Sequence, residues 1–372
     1  MPARDLVCFS HLRWDFVFQR PNQLMTRAAR DRRVFFVEEP ETDEGATSLP
    51  PRLELAARGA VTVVTPHVPS GIGRDEREGA LRRLVESLHR RQRIVDPVHW
   101  FYTPMMAPWT GGIEASTVVY DCMDELSAFR SAPARLAELE AELLADADLV
   151  FTGGYSLYEA KRAANRSVFP FPSGVDLAHF GSARRLRSEP PEQAGIARPR
   201  LGFFGVIDER IDLALIDGVA AARPDWQLVL IGPVAKISRA ALPDRPNIHY
   251  LGRRAYEELP LYLAGWDVAI MPFARNAATR FISPTKTPEY LAGGKPVVST
   301  SIRDVVASYG AAGLVRIADE PAAFVTAVEA ALAEDARRRW PEIDAYLADR
   351  TWDRIWAAMD ELVEEASGRA AA

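Results

Sequence analysis

Short apolar runs alternate with longer helical segments along the whole of this chain, and few folds accept that rhythm. Leu6–Ser10, Arg33–Glu38, Ala60–Thr65, His99–Tyr102, Thr117–Asp121 and Asp148–Thr152 read as strands. Helical spacing fills Pro21–Arg30, Arg74–Arg93 and Pro133–Ala145 between them. A second series repeats the rhythm, with strands expected at Arg200–Val206, Gln227–Gly232, Ile248–Leu251, Asp267–Met271, Pro296–Ser299 and Gly313–Ile317. Strand, helix, strand, repeated, predicts a parallel sheet covered by helices. Two such series predict two doubly wound α/β units. The stretch 181–199 loses its periodicity and is rich in Arg, Glu and Pro, so it reads as a linker. The division expected is therefore 1–180, a linker at 181–199, 200–338, and closing helices over 339–372. Trp340–Ala366 reads as helical, its spaced tryptophans packing a core or clamping the units, with Gly368–Ala372 fraying.

Bulk properties narrow the functions. At 372 residues the chain is long enough for two cores, and 48% of it is hydrophobic. The formal charge of −6 argues against a nucleic-acid partner. Cys8 and Cys122 each sit in or beside an apolar run, which predicts two core thiols. No apolar run reaches membrane-spanning length and no leader is visible. The expected place is the cytoplasm, with peripheral contact at the inner face of the plasma membrane as the furthest departure.

In open α/β sheets ligands bind beyond the carboxyl ends of the strands. Ser283, Pro284, Thr285 and Lys286 lead into a short helix carrying Glu289, which Gly293 and Gly294 end. A helix start offers free N–H groups and partial positive charge, Lys286 adds a full charge, and Glu289 can accept from ribose hydroxyls. A capped helix with solvated charges explains the same residues, and physics alone leaves the two readings level. Gly205, closing the strand Arg200–Val206, permits a tight turn, and Arg210 follows where it could pair with phosphate oxygens. Ordinary turn chemistry is the rival there.

In the first series, Asp121 and Asp124 end a buried strand and are candidates for orienting an acceptor hydroxyl or acting as a base; a helix cap is the alternative. His11, Trp14, Asp15, Gln19 and Arg20 follow the first strand. Trp14 is suited to stacking on a sugar, and Asp15, Gln19 and Arg20 to binding hydroxyls or phosphate. Asp146-Ala147-Asp148 reads as a turn, and no metal or other cofactor is assigned.

These residues carry a resemblance. FPSGVDLAHF over 171–180 is similar to the P-N-G-V-D segment of glycosyltransferase families 4 and 1, with Ser173 where those families place Asn. Arg200–Arg210 resembles their phosphate loop, Leu228–Gly232 with Asn247–Gly252 a further shared phrase, and Thr351–Leu362 the closing helix. WDFVFQRPNQL, VVYDCMDELSAF and FTGGYSLYEAKR resemble the branch of teichuronic-acid and cell-surface polysaccharide glycosyltransferases. There is one departure: the families place two glutamates eight positions apart, and here Glu289 matches the second while Phe281 stands at the first.

The resemblance implies a GT-B fold: two Rossmann-like domains facing a cleft, with a C-terminal helix crossing back to the first. It implies a hexosyltransferase acting on a nucleotide-sugar donor, UDP- or GDP-type, and a glycan or lipid-linked acceptor, retaining and metal-independent. Gly205, Arg210, Ser283, Pro284, Thr285, Lys286 and Glu289 would bind the donor, with Arg210 and Lys286 also stabilising the leaving diphosphate. Asp121, Asp124 and His11 would orient the acceptor, and Arg280, Ser283 or main-chain N–H groups would take over the sugar contacts of the missing glutamate. A UDP-sugar 2-epimerase and a non-catalytic subunit of the same fold are the alternatives.

Overall fold

A computed structural model describes residues 3–43, 49–130 and 132–370. The chain forms two compact units, Met1–Phe171 with Asp353–Ala372, and Pro172–Trp352.

The first unit is built on β1 (Leu6–Phe9), β2 (Val34–Val37), β3 (Glu41–Asp43), β4 (Arg52–Arg58), β5 (Val61–Pro69), β6 (Val98–Phe101), β7 (Thr117–Cys122), β8 (Leu149–Thr152) and β9 (Val168–Pro170). They lie in the order β3-β5-β2-β1-β6-β7-β8-β9, with β4 antiparallel on β5 and every other pairing parallel. Strands β1, β2, β6 and β8 are buried at every position, as continuous apolar runs covered on both faces must be. Strand order reverses at β1, so the crevice of this sheet opens between β1 and β6. Cys8 and Cys122 are free, buried thiols.

The second unit holds β10 (Arg200–Phe204), β11 (Gln227–Ile231), β12 (Ile248–Gly252), β13 (Val268–Met271), β14 (Val297–Ser299) and β15 (Arg316–Ile317), ordered β12-β11-β10-β13-β14-β15 and all parallel. Its reversal falls between β10 and β13. One apolar core runs from Leu201 and Phe204 through Trp266 and Tyr290 to Phe324 and Val328.

Three sequence expectations need correction. The stretch 181–199 is not a linker between units: it lies within the second unit, and the chain passes between units at Phe171–Pro172. Its polar residues are consumed locally. Glu189 pairs with Arg198 at 2.9 Å and with Arg200, and the fully buried Gln193 accepts from Trp266 Nε1 at 3.0 Å and donates to the Tyr262 carbonyl at 3.0 Å. The closing segment 339–372 is helical but does not stand apart: the helix Trp340–Leu347 lies within the second unit, and after the break where Thr351 pairs with Val175 the helix Trp352–Ala370 runs in the first from Asp353 onward. Helical backbone continues through Gly368 to Ala370, and Ala371–Ala372 lie outside the described residues.

Candidate functional site

In the second unit, three loops meet at the carboxyl edge of β10. The β10 and β13 loops are zipped together: Ala274 N–H donates to the Arg210 carbonyl at 2.8 Å, Asp212 N–H to the Pro272 carbonyl at 2.8 Å, and Ile211 pairs with Phe273. On the other side, Gly205 N–H donates to the Ile231 carbonyl at 2.8 Å and Ile207 pairs with Val234. Gly205 adopts φ +149°, a conformation that side-chain-bearing residues rarely take. The approach is close as well: a Cβ on Gly232 would sit 1.8 Å from the Gly205 carbonyl oxygen.

Lys286 lies directly over this turn. A Cβ on Gly205 would fall 2.5 Å from Lys286 Cε and 3.3 Å from its Nζ. The position follows from the helix Lys286–Ala292. Tyr290, one turn after Lys286 and fully buried, accepts a hydrogen bond at 2.9 Å from the N–H of Phe204, the residue before Gly205. One ring thus fixes the helix against the end of β10 and carries Lys286 across the glycine. Thr287 N–H is already bonded to the Pro284 carbonyl at 3.3 Å, and Pro288 has no N–H. Positive charge at this edge is therefore carried by side chains more than by a seven-residue helix start.

Arg210 stands in the same β10 loop, its guanidinium forked onto Asp208, Nε to Oδ1 at 3.0 Å and Nη2 to Oδ2 at 2.8 Å. Asp208 is buried, and its two-pronged grip fixes the direction of the Arg210 guanidinium. Glu289 is buried, and desolvation pushes its carboxyl up to about 7 against the pull of Lys286 and a Thr285 hydrogen bond. Ser283, Pro284, Thr285 and Lys286 are half-buried. Arg280 is exposed and packs over the Phe281 ring, 5.2 Å from its centroid.

In the first unit the loop after β1 is tied down by a residue with no expected role. Glu38 accepts from Trp14 N–H at 2.6 Å, Arg13 Nη1 at 3.0 Å and Thr65 Oγ1 at 3.2 Å. Trp14 packs edge-on against Phe36, ring centroids 5.0 Å apart. Asp15 is exposed and paired with Arg58 at 2.8 Å. Gln19 begins the helix Arg20–Ala28, its N–H donating to Asn22 Oδ1 at 3.0 Å. His11 and Asp124 are half-buried.

Two expected ligand residues are enclosed instead. Arg20 is 3% exposed and Asp121 0%. Arg20 grips Asp121 with Nε at 3.1 Å and Nη2 at 2.9 Å, and its Nη1 donates to the Phe171 carbonyl at 2.8 Å. A pair so enclosed touches no acceptor; it braces the loop after β1 against the end of β7. Asp148 of the D-x-D triplet accepts from Val118 N–H at 2.8 Å and so holds the start of β7.

These features define the class: a doubly wound α/β protein with cations gathered at the switch point of its second sheet. Comparison with known proteins places part of the chain in a family. Residues 198–334 match the family described as Glycosyl transferases group 1, so the second unit carries a domain of that family. The chain is 29% identical over 262 residues to a Bacillus subtilis protein named as the teichuronic acid biosynthesis glycosyltransferase TuaH, covering 63% of each chain. It is also 29% identical over 142 residues to a GDP-mannose-dependent monoacylated alpha-(1-6)-phosphatidylinositol monomannoside mannosyltransferase of Corynebacterium glutamicum, covering 33% of this chain and 36% of that one. The matches thus span less than two thirds of either relative. Among solved structures, sucrose-phosphate synthase from Thermosynechococcus elongatus superposes with a TM-score of 0.74 at 14% identity, covering 99% of this chain and 100% of that one. The fold is GT-B, as the sequence resemblance implied.

Proposed function

We propose that the protein is a glycosyltransferase that moves a hexosyl group from a nucleoside diphosphate sugar to a cell-envelope glycan or its lipid-linked precursor. The observation that carries the reading is Lys286 lying over the Gly205 turn, with Arg210 oriented by Asp208 in the same loop. A diphosphate seated there meets two fixed cations and the bare backbone of a glycine.

The chemistry follows from that seat. The bond between the anomeric carbon and the β-phosphate oxygen breaks, and its electron pair stays on the phosphate. Lys286 and Arg210 stabilise the charge as it grows, with no reorganisation needed at that moment. The acceptor oxygen bonds to the anomeric carbon on the face the phosphate leaves, and its proton passes to a leaving phosphate oxygen. That route retains configuration and needs neither a dedicated protein base nor a metal. Glu289, buried one turn beyond Lys286, is the candidate acceptor for ribose hydroxyls. With Phe281 in place of a carboxylate, Arg280, Ser283 and main-chain N–H groups are the candidates for the hydroxyls of the transferred sugar. His11, Trp14, Asp15, Gln19 and Asp124 are the acceptor-side candidates. The names of the two curated relatives support an envelope acceptor, and the second of them supports a GDP-linked donor.

Calorimetry with UDP, GDP and dTDP, followed by proton NMR of the matching sugar nucleotide, tests this. Binding of one nucleotide and transfer or slow hydrolysis with retained configuration is expected. An epimerised sugar nucleotide, or no binding of any of the three, overturns it.

A further inference from the structure

We propose that Ser173 is a positioning residue for the nucleotide site, holding the loop that carries Lys286 through a hydrogen bond to the Ser283 carbonyl. The inference rests on the diphosphate site proposed above. Ser173 Oγ donates to Ser283 O at 2.8 Å across 110 positions of sequence. Among the described residues, the main chain of Ser283–Thr285 has two other hydrogen bonds, both local: Thr287 N–H to Pro284 and Glu289 N–H to Thr285. Both belong to the first turn of the helix and travel with it. The Ser173 hydroxyl is the tether from outside.

The anchor at the other end of that tether is rigid. Two residues after Ser173, the buried Val175 donates to the Arg350 carbonyl at 3.0 Å and accepts from Trp352 N–H at 3.3 Å, in a short parallel bridge with Thr351. Residues 172–175 and 350–352 are where the chain enters and leaves the second unit. A hydroxyl standing on this bridge fixes the carbonyl three residues before Lys286. Tyr290 fixes the far side of the same helix turn through Phe204. Between them they set where the ammonium sits over Gly205. Electrostatic stabilisation of a diphosphate falls off with ångström-scale misplacement, so a tether that carries no charge itself governs one that does.

The experiment is calorimetric titration of the full chain with UDP, GDP and dTDP. Ser173→Ala is expected to weaken the bound nucleotide by about three- to tenfold, the range of one net hydrogen bond. Ser173→Thr, which keeps the hydroxyl, is expected to restore it. In a Lys286→Ala background, Ser173→Ala is expected to change nothing further, because its effect passes through Lys286. If Ser173→Ala does not fold, Ser173→Cys takes its place, retaining size but donating weakly. Unchanged affinity in Ser173→Ala, failure of Ser173→Thr to rescue, or full additivity with Lys286→Ala overturns the role of Ser173 while leaving the site standing. Absence of nucleotide binding by the unaltered chain instead overturns the site and the tether with it.

Discussion

Arg20 and Asp121 form a forked ion pair in the interior of the first unit although 101 positions separate them. An enclosed pair of this kind is costly to assemble and costlier to break, because removing one partner strands the other's charge. Asp121→Ala is expected to lower unfolding free energy by about 3–5 kcal/mol. The double change Arg20→Met with Asp121→Leu is expected to recover most of it. Urea denaturation of the three proteins decides the matter; equal stability of the single and double variants would mean that the pair does not set the loop.

Gly205 is expected to tolerate no side chain. Gly205→Ala forces a methyl group to 2.5 Å from Lys286 Cε at φ +149°. The ammonium must move, and nucleotide affinity falls with it. Loss comparable to Lys286→Ala, about 10- to 100-fold for one charge-assisted contact, is the expected calorimetric result. Arg210→Ala should behave alike, and Asp208→Asn more mildly, since it loosens Arg210 without removing it. Wild-type affinity in Gly205→Ala would detach Lys286 from the site.

Much of this layout was legible in the sequence, for identifiable reasons. Buried parallel strands are continuous apolar runs, so both central sheets stood out. The edge strand β4, RLELAAR, did not, because its exposed charges interrupt the pattern that burial imposes elsewhere. The 181–199 stretch misled because its Arg and Glu residues satisfy one another and its glutamine satisfies a tryptophan, and such contacts leave no period. Arg20 misled in the opposite sense, since a polar residue beside a candidate site reads as a ligand group until its distant partner is known. Ser283–Glu289 was level with a plain capped helix on physics alone. What raised it was its match to a family segment, and what fixed its geometry was Tyr290, whose hydroxyl bond to Phe204 no local pattern encodes.

Glu289 gives the second unit a pH signature. Its ordinary value of 4.5 rises to about 7 through burial. The folded chain therefore holds this proton over a range where the unfolded chain has released it. Stability from this group is full below about pH 4.5, declines as pH rises, and is lost above about 7, a difference of about 3 kcal/mol. Glu289→Gln removes the dependence and should raise the melting temperature at pH 8 relative to the wild type, with little change at pH 5. Parallel curves for the two proteins from pH 5 to pH 8.5 would show that the carboxyl is not desolvated.

The helix Trp352–Ala370 separates the two kinds of force that seat it. Its polar side faces arginines: Asp353 pairs with Arg27 at 3.2 Å and Arg30 at 2.6 Å, and Arg32 reaches Asp360 and Glu364. Its inward stripe is Trp356, Met359 and Val363, all buried, with Trp356 against Trp100 at a centroid distance of 5.9 Å. Asp353 is 56% exposed, so its pairs are screened and together worth at most about 1 kcal/mol. Truncating a buried tryptophan forfeits transfer energy and leaves a cavity, about 3–5 kcal/mol. Trp356→Ala should therefore destabilise the first unit severely at any salt concentration. Asp353→Ala should be nearly neutral and more so in high salt. A reversal of that ranking in denaturant titrations at low and high salt would show that the arginine cluster, and not the apolar stripe, holds the returning helix in place.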